Sequence, residues 1–374
     1  MAPRSHCTCG GEHNASGSPR SARQRRRWPR GAASAIALFV SFFALVGLSQ
    51  PEGRAALALA APAIPEIPTG APAAITTAWG VISAVFAPTW IAYDTGYFRQ
   101  YSLDVTMERI EGVIQAQAIV AGKVQFGNVG GAEVLNARAA GSPMVAILQT
   151  TDAPVFELHA PPSIRSIGDF RGKSIAITRR GSTTDMAVRV VLRNHGLVPD
   201  QDVKLVNMNE MSGIVAALQA GVVQGGMLSY PAAAQATAAG FPMVVSTVDE
   251  HVHLHQNLIV VMKPYADTHP AVVFAYLKAY LQGLRDFMQK PEVAHAAIAK
   301  YTNADQAASR AAYEAIRPAM ITSHYVNEEG FKTIQEFGAN PKTTQVRLAD
   351  AHDDHFLRAL EATGFLKQLG LVTK

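Results

Sequence analysis

Four clusters of residues in this chain have types and spacing that could do chemistry. Gly181-Ser182-Thr183-Thr184-Asp185 puts three hydroxyls between a predicted strand and a predicted helix. Free backbone N–H groups and hydroxyls at a helix start form an anion site, and the same residues also serve as a plain N-cap. The neighbouring Arg179 and Arg180 either strengthen the pull on an anion or face solvent. Gly130-Gly131-Ala132-Glu133 holds the same place after a predicted strand, Val124–Val129. Two glycines let a ligand approach the backbone closely. Glu133 then points at that ligand or completes a capping interaction; as an acid it favours a ligand with an amine or ring N–H over a bare anion. Trp79, Phe86, Trp90 and Tyr230 fall at predicted strand ends or in adjoining loops. Aromatics there stack on a flat ligand, seal a cleft or pack the core, and Trp90 suits the core best.

The fourth cluster is His251-Val252-His253-Leu254-His255. On a strand its three rings share one face, as a zinc site would use, but the first and third stand about 13 Å apart along a straight strand. One zinc does not reach both without a bend, so no metal is assigned, and a single ring, His253 or His255, is the better candidate to touch a ligand. Gly168 to Ser174 resembles a phosphate loop and fails twice: three residues separate its glycines instead of four, and it precedes a strand instead of following one. No GxSxG, HExxH or GxGxxG motif is present. No catalytic residue and no cofactor is therefore assigned.

The elements that must position these clusters come in two sets. AGKVQFGNVGG at Ala121–Gly131 returns as AGVVQGGML at Ala220–Leu228, with Ala118, Ala121, Gly122, Val124, Gln125 and Gly127 matched at a constant offset of 99. Each copy follows an apolar run of helical spacing, stops on a glycine suited to the left-handed cap, and enters a short strand. Ser229-Tyr230-Pro231 follows the second copy as Gly130-Gly131 follows the first, so it should face the same place. From Ile75 short apolar runs alternate with helical patterns, the mark of βαβ units, and beyond Pro270 the spacing is helical throughout (Phe274, Leu277, Leu281, Leu284, Phe287). The expectation is an α/β protein of two lobes with mixed, mostly parallel sheets, a hinge and C-terminal helices. Lobe 1 is 75–165 plus 251–374 and lobe 2 is 166–250. Ligands in such folds sit beyond strand carboxyl ends and between domains.

Charge is unevenly placed. Of the chain's 33 Lys and Arg, eight lie in residues 1–60, against two of its 29 Asp and Glu, which leaves 25 basic and 27 acidic residues beyond. A nearly neutral body is not built to bind nucleic acid. Basic Arg23–Arg30, the uncharged run Ala32–Leu48 and Ala58-Leu59-Ala60 follow the order of an export leader cleaved near Ala60, with a Pro/Ala-rich linker over 61–74. Arg25-Arg26 before Trp28 resembles a twin-arginine signal, although Gln24 and Pro29 depart from its pattern. The alternative is a single membrane anchor, for which the run is marginal. Both cysteines, Cys7 and Cys9, precede the leader, so the body has neither disulfides nor thiol chemistry.

Four phrases carry a family likeness: Ala87-Pro-Thr-Trp-Ile-Ala-Tyr-Asp-Thr-Gly-Tyr-Phe98, Gly130 to Pro143, Ser166 to Ile177, and Gly181 to Thr184. Over about Ile75 to Phe287 the chain resembles the type II periplasmic solute-binding proteins that serve sulfonate, nitrate and thiamine-pyrimidine (NMT1/THI5-like) ABC importers. The family's repeated module reads Gly-x-Val-Asp, and Gln125 and Gln224 replace the acid here as structural caps. The resemblance implies an exported, periplasmic, monomeric receptor that is not an enzyme. It would close on a sulfonate, a nitrate-like anion, a pyrimidine or an aromatic acid and pass it to a permease with its ATPase. Its ligand contacts would come from Trp79, Phe86, Gly131, Ala132, Glu133, Gly181, Ser182, Thr183, Thr184, Tyr230 and Pro231. Two rivals stand beside it: an enzyme on the same scaffold, whose thiamine-related members rely on cysteines the body lacks, and a ligand sensor for a membrane kinase.

Overall fold

The repeated phrase folds twice into the same unit in a computed structural model that describes residues 63–68, 72–151, 153–320 and 324–371. The expected leader lies outside the described residues, as do residues 61, 62 and 69–71 of the linker. Helices Gly112–Val120 and Met211–Gln219 begin 99 positions apart, as do the next strands (Phe126 and Gly225) and the strands after those (Met144 and Met243). Each repeat helix stops at a glycine in the left-handed region, Gly122 at φ +72° and Gly221 at +67°, where a side chain would be strained. Gln125 and Gln224 then tie each unit to its neighbouring strand. Their amide oxygens accept the backbone N–H of Thr76 at 2.8 Å and of Ser174 at 3.2 Å. Their own N–H groups donate to the carbonyls of the same two residues at 3.0 Å. The glutamine is a structural cap in both halves.

Ten strands follow in chain order: β1 Ala73–Trp79, β2 Leu103–Arg109, β3 Phe126–Val129, β4 Met144–Gln149, β5 Glu157–His159, β6 Ser174–Ile177, β7 Lys204–Asn207, β8 Gly225–Leu228, β9 Met243–Ser246 and β10 Leu258–Met262. They form two sheets of one plan, β2-β1-β3-β10-β4 and β7-β6-β8-β5-β9. β1 pairs in parallel with β2 and β3, and β6 with β7 and β8. The reversed strand of each sheet is the one that has just arrived from the other lobe. β5 follows β4 and pairs antiparallel with β8 and β9, while β10 follows β9 and pairs antiparallel with β3 and β4. Two connections, within 150–156 and 247–257, therefore join the lobes.

The first crossing lies ahead of the expected boundary at 165. Glu157–His159 belongs to the second sheet, and three residues are too few to show a period in the sequence. The C-terminal segment is also not confined to lobe 1. Helix Pro270–Gln289 does pack there, against helix Ala87–Asp94, and Tyr276 stacks on Phe126 of β3 at 4.0 Å. Helix Glu329–Phe337, by contrast, touches both helix Gly131–Ala139 of lobe 1 and helix Thr183–Asn194 of lobe 2. Phe331 and Ile334 are buried there, and the Arg193 guanidinium lies 5.5 Å from the Phe337 ring. Both faces of β4 are covered, so it carries a continuous apolar run, Met144–Leu148, all buried.

Candidate functional site

The parallel strands of both sheets point their carboxyl ends at the gap between the lobes, and the residues just past those ends enclose a cavity of about 60 Å³. Lobe 1 contributes Gly80, Ser83, Phe86, Glu111, Gly112, Asn128, Gly130 and Glu133. Lobe 2 contributes Thr178, Arg179, Ser182, Thr183, Thr184, Met211 and Ser229, and the connections add Phe156 and Gln256.

Helices start where these strands end, so helix N-termini face the cavity. Gly112, Thr183 and Met211 are the first residues of their helices, and Ser83, Gly130 and Ser182 stand at N-cap positions. At Gly130 there is no side chain to cap helix Gly131–Ala139, whose first N–H donates instead to the His255 carbonyl at 3.1 Å, and Glu111 and Glu210 make no side-chain cap bond to their helices. Unpaired N–H groups at the positive end of several helix dipoles favour a negative charge between them.

Three side-chain atoms complete that surface. The hydroxyls of Ser83 and Ser229 and Oε2 of Glu133 are buried without a hydrogen-bond partner, and all three residues line the cavity. Buried polar atoms are almost always paired, so three orphans around one cavity mark where a bound molecule would supply partners. Glu133 is 4% exposed. Burial pushes its carboxyl up to about 7, against the pull of the Glu133 and Gly130 backbone N–H groups. Near neutrality it can therefore donate a hydrogen bond or accept one from a cation. Its carboxylate lies against the backbone of Gly112 and Gly130, where a Cβ would come within 2.7 Å and 2.9 Å of its oxygens.

In the Gly181–Asp185 cluster Ser182 is an N-cap, and Ser182, Thr183 and Thr184 also line the cavity. Ser182 caps helix Thr183–Asn194 by accepting the Asp185 N–H at 3.4 Å and donates to the Arg179 carbonyl at 2.7 Å. Its hydroxyl also meets those of Thr178 and Thr184 at 3.0 Å, so this group of hydroxyls is largely self-satisfied while forming one wall of the cavity. Arg179 lines the cavity, but its guanidinium reaches across the cleft to Glu111 at 2.9 Å. Arg180 turns away to Asp200.

Of the expected ligand contacts, Phe86, Glu133, Ser182, Thr183 and Thr184 line the cavity, whereas Trp79, Gly131, Ala132, Gly181, Tyr230 and Pro231 do not. Trp79 is buried at the end of β1 among Trp90 (5.0 Å), Phe86 (6.0 Å) and Tyr301 (6.1 Å). Tyr230 donates its hydroxyl to Glu157 at 2.8 Å. Gly131 abuts His255, whose Nδ1 would be 2.6 Å from a Cβ there, and Ala132 is core. Gly181 faces a separate outer groove of about 800 Å³, whose lining shares Glu133 with the inner cavity. The three histidines do not converge. His253 is exposed beside Glu329, while His255 is buried and donates Nε2–H to the Asn327 carbonyl at 2.8 Å, and neither lines the cavity. Burial holds the His255 ring neutral, down to about 4.

Sequence reasoning missed Ser83 altogether, because a lone serine in a loop carries no signal. The repeat did bring Ser229-Tyr230-Pro231 to the same cleft, 99 positions after Gly130, and of the three Ser229, not Tyr230 or Pro231, lines the cavity.

The family profile described as NMT1/THI5 like matches residues 83–294, which include every strand from β2 to β10. The chain belongs to the NMT1/THI5-like family. Among curated relatives it is similar to the taurine-binding periplasmic protein of Escherichia coli K12, at 28% identity over 184 residues, which cover 49% of this chain and 57% of that one. The chain spans about half the length of the curated relatives it matches. Among solved structures it is similar to a Bordetella bronchiseptica RB50 protein (TM-score 0.67, 22% identity, covering 78% of this chain and 98% of that one). It is also similar to the alkanesulfonate-binding protein SsuA of Xanthomonas axonopodis pv. citri (TM-score 0.65, 19% identity, covering 76% and 99%). These structures share the two-lobed fold with this NMT1/THI5-like chain.

Proposed function

We propose that the chain is the solute-capturing component of an ABC importer, an exported receptor that shuts two lobes on a compact anion-bearing molecule. One observation carries the reading. Helix N-termini from both lobes, the hydroxyls of Ser83 and Ser229 and Oε2 of Glu133 meet around a single cavity between the lobes. A solute that touches both lobes only when they are together shifts the hinge equilibrium toward that state. No covalent step is involved. The permease and its ATPase are the partners that would then receive the solute.

Cavity size narrows the ligand. About 60 Å³ holds the bulk of roughly five waters, which suits a compact solute of well under a dozen heavy atoms. Glu133 narrows it further. The N-termini want an anion, and a buried acid beside them is best satisfied by an ammonium on the same molecule, so a short aminosulfonate fits both. The relative named for taurine supports this choice. The basic leader and the periplasmic relatives support export, with cleavage near Ala60, Arg25-Arg26 as the basis for a twin-arginine route, and a monomer in the periplasm.

Calorimetric titration of the purified protein with taurine and with methanesulfonate at pH 6 and pH 8 tests the reading. Taurine should bind one to one and more tightly as Glu133 ionises through about 7. Methanesulfonate, which needs the protonated acid, should weaken over the same interval. Absence of saturable binding by either compound at both pH values would refute the sulfonate reading.

A further inference from the structure

Two ion pairs cross the cleft beside the cavity in opposite senses, and they bear on the proposed solute capture. Arg109, the last residue of β2 in lobe 1, pairs with Glu210 of lobe 2. Arg179, just past β6 in lobe 2, pairs with Glu111 of lobe 1, Nε to Oε2 at 2.9 Å. The two acids are repeat equivalents, 99 positions apart, and each is the N-cap residue of its repeat helix. Neither caps its own helix, because each side chain is turned across the cleft to the other lobe's arginine.

We propose that Arg109–Glu210 and Arg179–Glu111 are a reciprocal clasp, four positioning residues that set how often the lobes are shut. Both pairs link groups at strand ends of different sheets, so a rotation about the connections within 150–156 and 247–257 separates both at once. The four side chains are 14% to 37% exposed, which leaves each pair modest in strength and open to screening by salt. Modest strength suits a clasp that must release. A pair of this kind is worth up to about fivefold in the shut-to-open ratio, or about 1 kcal/mol. The aromatic cluster that excludes Trp79 from the cavity gives that ring its place in the clasp, because the Arg109 guanidinium lies 6.0 Å from it.

The clasp competes with another role for Arg179, that of counter-ion to an anionic solute, since Arg179 lines the cavity. The geometry favours the clasp, because the guanidinium is already paired with Glu111, which lines the same cavity. Freeing Arg179 separates the two: Glu111→Gln tightens taurine binding if Arg179 is a counter-ion and loosens it if the pair is a clasp.

The inference rests on the two-lobed receptor reading, and its main test requires no bound solute. In the full chain with Cys7 and Cys9 changed to Ser, nitroxide labels at Gln117 and Val222, both exposed and one in each lobe, report the interlobe distance. Reversing both arginines (R109E with R179E) should lower the shut-to-open ratio at least fivefold, and 1 M NaCl should shift the unreversed chain the same way. Exchanging both pairs (R109E/E210R with R179E/E111R) should restore the ratio. Distances unaffected by reversal, or not restored by the exchange, would overturn the clasp. A chain that binds no sulfonate but shows these distance changes would instead overturn the ligand reading and leave the clasp standing.

Discussion

At the scale of single residues, hydroxyls that look alike in the sequence have different work. Ser83 and Ser229 have no partner, so removing either hydroxyl should leave the fold intact. Ser83→Ala and Ser229→Ala should each weaken taurine binding about tenfold, the loss expected for one hydrogen bond to a charged group, with little change in melting temperature. Ser182→Ala removes an N-cap and should cost about 1 kcal/mol of stability in the free protein, read from denaturant midpoints. Glu133 yields a prediction with a definite sign. Its carboxyl is raised from 4.5 to about 7 on folding, so between those values the native state holds the proton more often than the unfolded chain. Its contribution therefore becomes less favourable as pH rises through that window. Glu133→Gln should match the wild type below about pH 4.5 and exceed it in stability above pH 7, by about 3 kcal/mol at most. A stability difference that did not vary with pH would show that Glu133 is not buried as described. The clusters were visible in the sequence because glycine, hydroxyl and acid recur at strand-to-helix junctions. Which member of a cluster turns inward was not visible, because one residue of rotation about a helix start moves a side chain from cavity to core.

At the scale of elements, the repeat decides the geometry. Two helix–glycine–strand units bring their helix starts to one cleft, and Gly130 shows how closely they meet. A Cβ at Gly130 would lie 1.9 Å from Oγ1 of Thr183, a residue of the other lobe. The backbone of Gly130 is extended, with φ −81°, so alanine brings no backbone strain; its Cβ would meet Thr183 across the cleft and, at 2.9 Å, the Glu133 carboxylate of its own lobe, the closer clash being the one between lobes. Gly130→Ala should fold with a near-normal melting temperature yet bind taurine at least tenfold more weakly, because the lobes cannot shut. Normal affinity in that variant would mean that the two lobes need not approach as they do here. Helix Glu329–Phe337 adds a third connection between lobes through contacts on both, and it lies beyond the residues matched by the family profile. It is tied to the second connection by the bond from His255 to Asn327. His255 has its ring depressed to about 4 by burial, so its contribution to stability is present above about 6.5 and lost as pH falls toward 4. His255→Gln, which does not titrate, should narrow the gap to wild type as the medium is acidified over that range, as followed by thermal melts.

At the scale of the whole molecule, the receptor reading has the two lobes move as bodies about two short chain connections, with helix Glu329–Phe337 packed on both. Saturating taurine at about a hundred times its dissociation constant should stabilise the protein by about 2.7 kcal/mol, because the solute binds only the folded chain. X-ray scattering should then show a smaller radius of gyration with taurine than without, and a radius that does not change would argue against closure.

Reading along the chain was enough for the fold class and the pairing of lobes, while the capping role of Gln125 and Gln224 came from the family likeness. The first two depend on local periodicity and on a repeat, and both are written along the chain. Tertiary structure alone decided three things: the position of β5, the bridging place of helix Glu329–Phe337, and which side chains face the cavity. A three-residue strand shows no period, and a helix that touches both lobes carries the same apolar stripe as one that touches a single lobe. The orphaned atoms of Ser83, Ser229 and Glu133, and the crossed pairs of Arg109 and Arg179, exist only where distant segments meet. Contact across the cleft is a property of how two lobes pack, and no window of sequence contains it.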